Sequence, residues 1–315
     1  MAEYWTVLGA VLPIFLIVGA GVVIRRINWL TEEADSSLLR LVVNLLMPAF
    51  ILDALLGNPA LNDTANVLIA PVIGFAGVAA GLGLAFLAAP LFGVVEAVRR
   101  RTFAFSISIY NYGYIPIPLT LLLFDRETLG VLVLHNLGVE IAIWTLCLAV
   151  LAGGAGDRGW KGLLNGPIFA VIAGLLLHYT GLHVHLPNFL LTGIHLLGQT
   201  AIPLALLLIG ATVADNLGEF DPKRGLPAVA GACVLRLVVI AGLFLAFAAL
   251  LPASRELKQV LVLQAAMPAA VFPLIMAKHY GGHVPTALRV IVWTSLISLL
   301  TIPLCIKFGL SWIVE

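Results

Sequence analysis

The chain has 315 residues, 61% of them hydrophobic and only 10% charged, with a formal net charge of +1 and a mean hydropathy of +1.09. A soluble domain carries about 25% charged residues, so this composition excludes a soluble globular protein and places most of the chain in a bilayer. The 17 basic residues fall in short clusters between apolar runs and give no ground for a nucleic-acid partner. Cys147, Cys233 and Cys305 all lie inside apolar runs, where they are expected as small buried hydrophobes with no disulfide role.

A helix needs about 20 apolar residues to cross the hydrocarbon core. Between charged and turn-rich breaks the chain offers ten such stretches, at 5–24, 35–56, 66–93, 102–124 and 128–152, then 162–180, 188–217, 226–251, 257–279 and 285–312. The first has no basic region ahead of it and no clear cleavage site, and reads as a retained span rather than a signal peptide. Loops after the odd-numbered spans carry Arg25 and Arg26, Arg99 to Arg101, Arg158 and Lys161, Lys223 and Arg224, and Lys278. Loops after the even-numbered spans carry Arg126, histidines, and the dissenting Arg255 and Lys258. Cytoplasmic loops hold the excess of Lys and Arg, so in a multi-pass protein of the cell membrane the odd loops are expected on the cytoplasmic side and both termini outside.

Five spans per half is an odd number, so the halves sit in opposite orientations, as in an inverted repeat. The expected units are a first repeat at 1–152, a cytoplasmic linker at 153–161 and a second repeat at 162–315. The linker run Gly153-Gly154-Ala155-Gly156 lacks the lysine and strand context of a phosphate loop and reads as a flexible joint. Internal echoes agree: Met47-Pro48-Ala49 in span two matches Ile202-Pro203-Leu204 in span seven, and Pro116 and Pro118 in span four match Pro268 and Pro273 in span nine. A proline inside a helix removes a hydrogen bond, and in lipid the freed groups survive only against protein or a wet cavity. Paired breaks in two halves point to a midplane binding site.

The stretches Asn44 to Ala49, Tyr110 to Pro118, Pro203 to Ala211, and Gln264 to Pro268 followed by Ala277-Lys278-His279-Tyr280 resemble the auxin efflux carrier family of PIN-like carriers and bacterial permeases. The resemblance covers nearly the whole chain, without the long cytoplasmic insert of many plant members. It implies an all-α integral membrane fold of ten helices in two inverted five-helix repeats, with helices four and nine broken at prolines and crossing. It further implies a scaffold of spans one, two, six and seven, a homodimer, no cofactor, and a small organic anion as cargo: auxin, or a dicarboxylate such as malate or malonate.

Asn111 is the first candidate for substrate contact, because an unbonded amide in the membrane is costly and its N–H groups suit a carboxylate; the alternative is an amide that caps the broken turn. Tyr110, Tyr112 and Tyr114 either line the pocket or sit at the interface. Pro116, Pro118, Pro268 and Pro273 are expected to shape the crossing and to leave half-helix N-termini that attract anions. Many bacterial relatives carry an asparagine after the span-nine proline, where this chain has Ala269, Ala270, Val271 and Phe272. Gln264 is the candidate replacement, and Asn44, one turn before Pro48, is a further candidate. Glu140 lies deep in span five, where an ionisable group is a functional hypothesis by default. It is a candidate for proton coupling, or else a structural partner of Arg236, His135 or Asn136. Asp53, near the end of span two, reads as solvated. His178, His183 and His185 lack an accompanying acid or cysteine and read as loop histidines rather than a metal site.

These features point to a secondary transporter working by alternating access. Two alternatives stand beside it. A sodium-coupled carrier of the bile-acid type would want acids and amides clustered to hold sodium. An intramembrane enzyme would need a nucleophile and base in reach; Ser106 and Ser108 lie near Asn111, but no catalytic motif recurs on facing spans. No ATP-binding motif is present.

Overall fold

Polar residues at the ends of the apolar runs start the helices. The Asp63 side chain accepts from Ala65 N at 2.9 Å, Asp125 from Thr128 N at 2.8 Å, Asn165 from Ile168 N at 3.0 Å and Ser254 from Leu257 N at 3.1 Å. Each satisfies an N–H that the first turn leaves unpaired. The computed structural model describes residues 4–154, 159–219, 221 and 224–313. Its helices are α1 (Tyr4–Arg26), α2 (Glu32–Leu55), α3 (Thr64–Phe92), α4 (Ala97–Ser108), α5 (Pro116–Leu123) and α6 (Arg126–Ala152) in the first half. The second half holds α7 (Gly166–Tyr179), α8 (Asn188–Asn216), α9 (Leu226–Leu250), α10 (Arg255–Ala266), α11 (Phe272–His279) and α12 (Val284–Ile313).

Among the described residues, seven helices are long and apolar enough to cross a bilayer: α1, α2, α3, α6, α8, α9 and α12. The chain is an all-α, largely membrane-embedded bundle. Its outer surface exposes Leu16, Leu68, Leu87, Leu91 and Phe189, as a surface facing lipid chains would. The linker residues 155–158, with Ala155, Gly156 and Arg158, lie outside the described residues, as does Lys223.

Packing partners recur between the halves. Helix α1 packs on α8, and α7 packs on α2; α3 packs on α4, and α9 on α10. Helix α4 packs on α12, and α10 on α6. Close approach relies on glycine. A Cβ on Gly21 would collide with the Leu207 carbonyl, and one on Gly210 with the Val18 carbonyl, which brings α1 and α8 backbone to backbone. Between α3 and α6, a Cβ on Gly138 would strike the Pro71 carbonyl, and one on Gly74 the His135 carbonyl. Small residues let membrane helices gain dispersion contacts that lipid would otherwise supply.

Three long helices contain a widened turn, at Val42–Leu46 in α2, Ile143–Cys147 in α6 and Leu235–Ile240 in α9. Such turns re-aim side chains and are frequent at functional sites. The one in α9 carries Arg236, and the one in α6 follows Glu140.

Candidate functional site

Two apolar segments leave the helical state midway. The first stops at Ser108 and resumes at Pro116; the second stops at Ala266 and resumes at Phe272. The prolines follow from this geometry. Pro116 opens α5 and Pro273 is the second residue of α11, positions where a missing N–H costs nothing. Asn111 lies inside the first break.

The breaks satisfy each other. Tyr110 and Ala269 form an antiparallel bridge, in which Asn111 N donates to Pro268 O at 2.8 Å and Ala270 N to Ile109 O at 2.8 Å. Ala269 N donates to Thr294 Oγ1 of α12 at 3.2 Å. Arg236 of α9 completes the arrangement: its Nε donates to Met267 O at 2.7 Å and its Nη2 to Gln264 O at 2.6 Å. Arg236 is fully buried. Its guanidinium sits at the C-terminal, negative end of α10 and 4.7 Å above the centre of the Tyr110 ring. Among the described residues it has no carboxylate in ion-pair range, and Nη1 has no hydrogen-bond partner.

The predicted residues divide into three groups. Asn111, 8% exposed, accepts from Ile115 N through Oδ1 at 3.1 Å. That bond caps the approach to α5 and leaves Nδ2 without a partner among the described residues. Gln264, fully buried, donates from Nε2 to Tyr112 O at 3.1 Å and to Asn136 Oδ1 at 3.3 Å; its Oε1 has no partner. Tyr110 is core rather than pocket wall: its buried ring meets Phe244 edge-on at 5.3 Å, and its hydroxyl lies 3.5 Å from His135 Nε2. Tyr114 is half-buried in the same break.

Glu140 forms the second group. Tyr112 Oη donates to Glu140 Oε1 at 2.6 Å and Trp144 Nε1 donates to Oε2 at 2.8 Å. Its partners are therefore not Arg236, His135 or Asn136. Trp144 in turn meets Phe272, the first residue of α11, edge-on at 5.9 Å. One carboxylate thus links the first break to the restart after the second.

Asn44 is apart from both. It is exposed, and its amide donates to Arg40 O one turn back at 2.9 Å. Asp53 is paired rather than simply solvated, with His195 Nδ1 at 3.0 Å and Arg126 at 3.8 Å. His178 and His183 stack at 5.5 Å, and among the described residues no group of three side chains is arranged to hold a metal.

Helix starts also differ from expectation. The first turn of α5 offers no free N–H, because Pro116 and Pro118 have none and Ile117 N donates to Gly113 O at 2.9 Å. Among the described residues, N–H groups without a partner lie instead in the breaks, at Tyr112, Gly113 and Tyr114 and at Val271 and Phe272. Sequence reasoning missed Arg236 as the central cation. The signal was a lone arginine inside the apolar run 226–251, which was read only as a partner for Glu140.

A family model described as "Membrane transport protein" matches residues 6–159 and 157–306. Comparison with curated proteins gives no match. With almost the whole chain matched, the protein belongs to this family, that of the auxin efflux carriers and PIN-like permeases, and is a multi-pass membrane transport protein rather than an enzyme.

Proposed function

We propose that the protein is a secondary transporter carrying a small organic anion, auxin-like or a mono- or dicarboxylate, past the bridged breaks by alternating access. The observation that carries this reading is the pairing of a fully buried, acid-free Arg236 with the unpartnered Nδ2 of Asn111 on either side of the Pro268 carbonyl region. An uncompensated cation in lipid is costly, and an incoming carboxylate relieves that cost while accepting from Asn111 and from free N–H groups of the breaks. Gln264 holds the first break through Tyr112 O. Tyr110 carries Arg236, and Tyr114 lies beside the entry to α5. Glu140 is the proposed proton carrier: a proton on it removes a negative charge bonded to Tyr112 of the first break and favours anion entry.

The recurring packing supports a ten-span reading, two inverted five-helix repeats at 1–152 and 162–315 joined by 153–161. Helices α1, α2, α7 and α8 form the scaffold in this reading, and the remaining helices move with the crossing breaks. The basic loops lie on the cytoplasmic side, with both termini outside.

Charge movement on solid-supported membranes tests the function. Proteoliposomes are challenged with malate, malonate, succinate and indole-3-acetate, with and without sodium. A saturable, sodium-independent signal lost in Asn111→Ala supports the reading. Sodium dependence moves the assignment to a sodium-coupled carrier, and a signal indifferent to Asn111 moves the site elsewhere. Labelled uptake covers electroneutral exchange, and its absence with every anion overturns the proposal.

A further inference from the structure

Away from the breaks, three helices begin at one place. Arg99 lies in the first turn of α4, Gly225 immediately precedes α9, and Thr286 lies in the first turn of α12. These residues, with Val229 and Arg289, line one partly open cavity with room for about one water. The positive end of each helix dipole lies at that space.

The side chains there are short of partners. Arg289 is 7% exposed, yet among the described residues it makes no hydrogen bond and no ion pair. Its guanidinium stem lies 4.0 Å from where a Cβ on Gly225 would be. Arg99 Nε is buried and also lacks a partner. Arg224 is a third cation within electrostatic range of Arg289, and Asp221 and Glu96 are the acids that face this cluster. His283, just ahead of α12, is held below the ordinary histidine range by burial and then by Arg99 and Arg289, so it adds no charge at neutral pH. A buried Arg289 and a half-buried Arg99 with an unpartnered Nε, facing three helix starts, are chemically an oxyanion receptor without its oxyanion.

We propose that this cleft is a second anion site, separate from the bridged breaks, that takes a phosphate group. The cavity admits one phosphate oxygen between Arg99 and Arg289, and the rest of the group stays at the rim. The cleft lies beside the basic run Arg99 to Arg101, at the start of α4, so the group comes either from an anionic phospholipid or from free phosphate.

The test uses the full-length protein purified in neutral detergent. Thermal unfolding is followed against inorganic phosphate. Retention of phosphatidylglycerol against phosphatidylcholine is followed by native mass spectrometry. Wild type, Arg289→Gln, Arg99→Gln and, as a charge-matched control, the exposed Arg26→Gln are compared. The expected result is stabilisation by phosphate or selective retention of phosphatidylglycerol, weakened about tenfold or more in both cleft variants and unchanged in Arg26→Gln. Response to phosphate alone identifies a soluble anion; response to phosphatidylglycerol alone identifies a lipid headgroup. Arg289→Lys, which keeps the charge and loses the planar fork, guards against misfolding: it retains part of the effect. No response in wild type, or equal response in wild type and a folded Arg289→Gln, overturns the proposal.

Discussion

Asn111 donates its main-chain N–H to the carbonyl of Pro268, 2.8 Å away, and so joins two breaks that lie about half the chain apart. The same residue caps the approach to α5 with Oδ1 and keeps Nδ2 free. One residue therefore bridges the breaks through its main chain and caps α5 through its side chain, and in the proposed function its Nδ2 is the donor to cargo.

Those two duties separate by substitution. Asn111→Asp retains an acceptor for Ile115 N but removes the donor and adds repulsion, whereas Asn111→Ala loses both. We expect Asn111→Asp to fold near wild-type stability and to abolish anion-driven signals. Asn111→Ala should in addition lose about 1 kcal/mol of stability. Thermal unfolding in detergent beside transport in liposomes checks both.

Arg236→Ala removes the side-chain donors to the Gln264 and Met267 carbonyls in a dry environment, leaving Gln264 O only its long bond from Met267 N at 3.4 Å. The expected loss is about 2–5 kcal/mol, with transport abolished. Arg236→Lys restores charge but cannot reproduce the forked donation from Nε and Nη2, so it should recover stability partly and affinity less. A Lys variant indistinguishable from Ala would mean that charge is irrelevant at this position.

Glu140 accepts one hydrogen bond on each oxygen. In Glu140→Gln the amide oxygen can keep the Trp144 bond while the NH2 donates to the Tyr112 hydroxyl, so the packing is retained and only the titratable charge is lost. Transport by Glu140→Gln is expected to become independent of pH while remaining measurable. Tyr112→Phe should weaken transport but keep its pH dependence. A pH profile of initial rates decides; an unchanged profile in Glu140→Gln removes this residue from proton coupling.

Gly138→Ala places a methyl group against the Pro71 carbonyl, where backbone rather than a flexible side chain must move. We expect about 3 kcal/mol of destabilisation and reduced yield of folded protein. Gly83→Ala, on the same α3 helix with open space at its Cβ, should be neutral.

Arg25 ties α1 to its neighbours, donating to Leu30 O at 2.8 Å and to Asp35 at 2.5 Å, with Asp215 of α8 at 3.2 Å. Arg25→Ala leaves two acids facing each other across a partly buried gap. An unfolding midpoint lower than that of Arg26→Ala, whose side chain is exposed, is the expected outcome.

Composition and hydropathy determined the class of this protein, because lipid demands long apolar runs and fully paired backbones. The helix boundaries were legible where Asp63, Asp125, Asn165 and Ser254 stand as caps, since capping is a local interaction. The two breaks were legible through their prolines, and Asn111 and Gln264 through the cost of an amide in an apolar run. Partners in space were not legible. Nothing in the sequence near Glu140 names Tyr112 as its donor, 28 residues away, and nothing near Arg236 names the Gln264 and Met267 carbonyls. Asn44 shows the converse: local spacing beside Pro48 marked it, yet the packing of α2 turned it outward to bond its own helix. Local rules fix where a helix starts and stops. Only the packing of distant segments decides which freed carbonyl meets which buried cation, because in a dry interior each must find the other or remain unsatisfied.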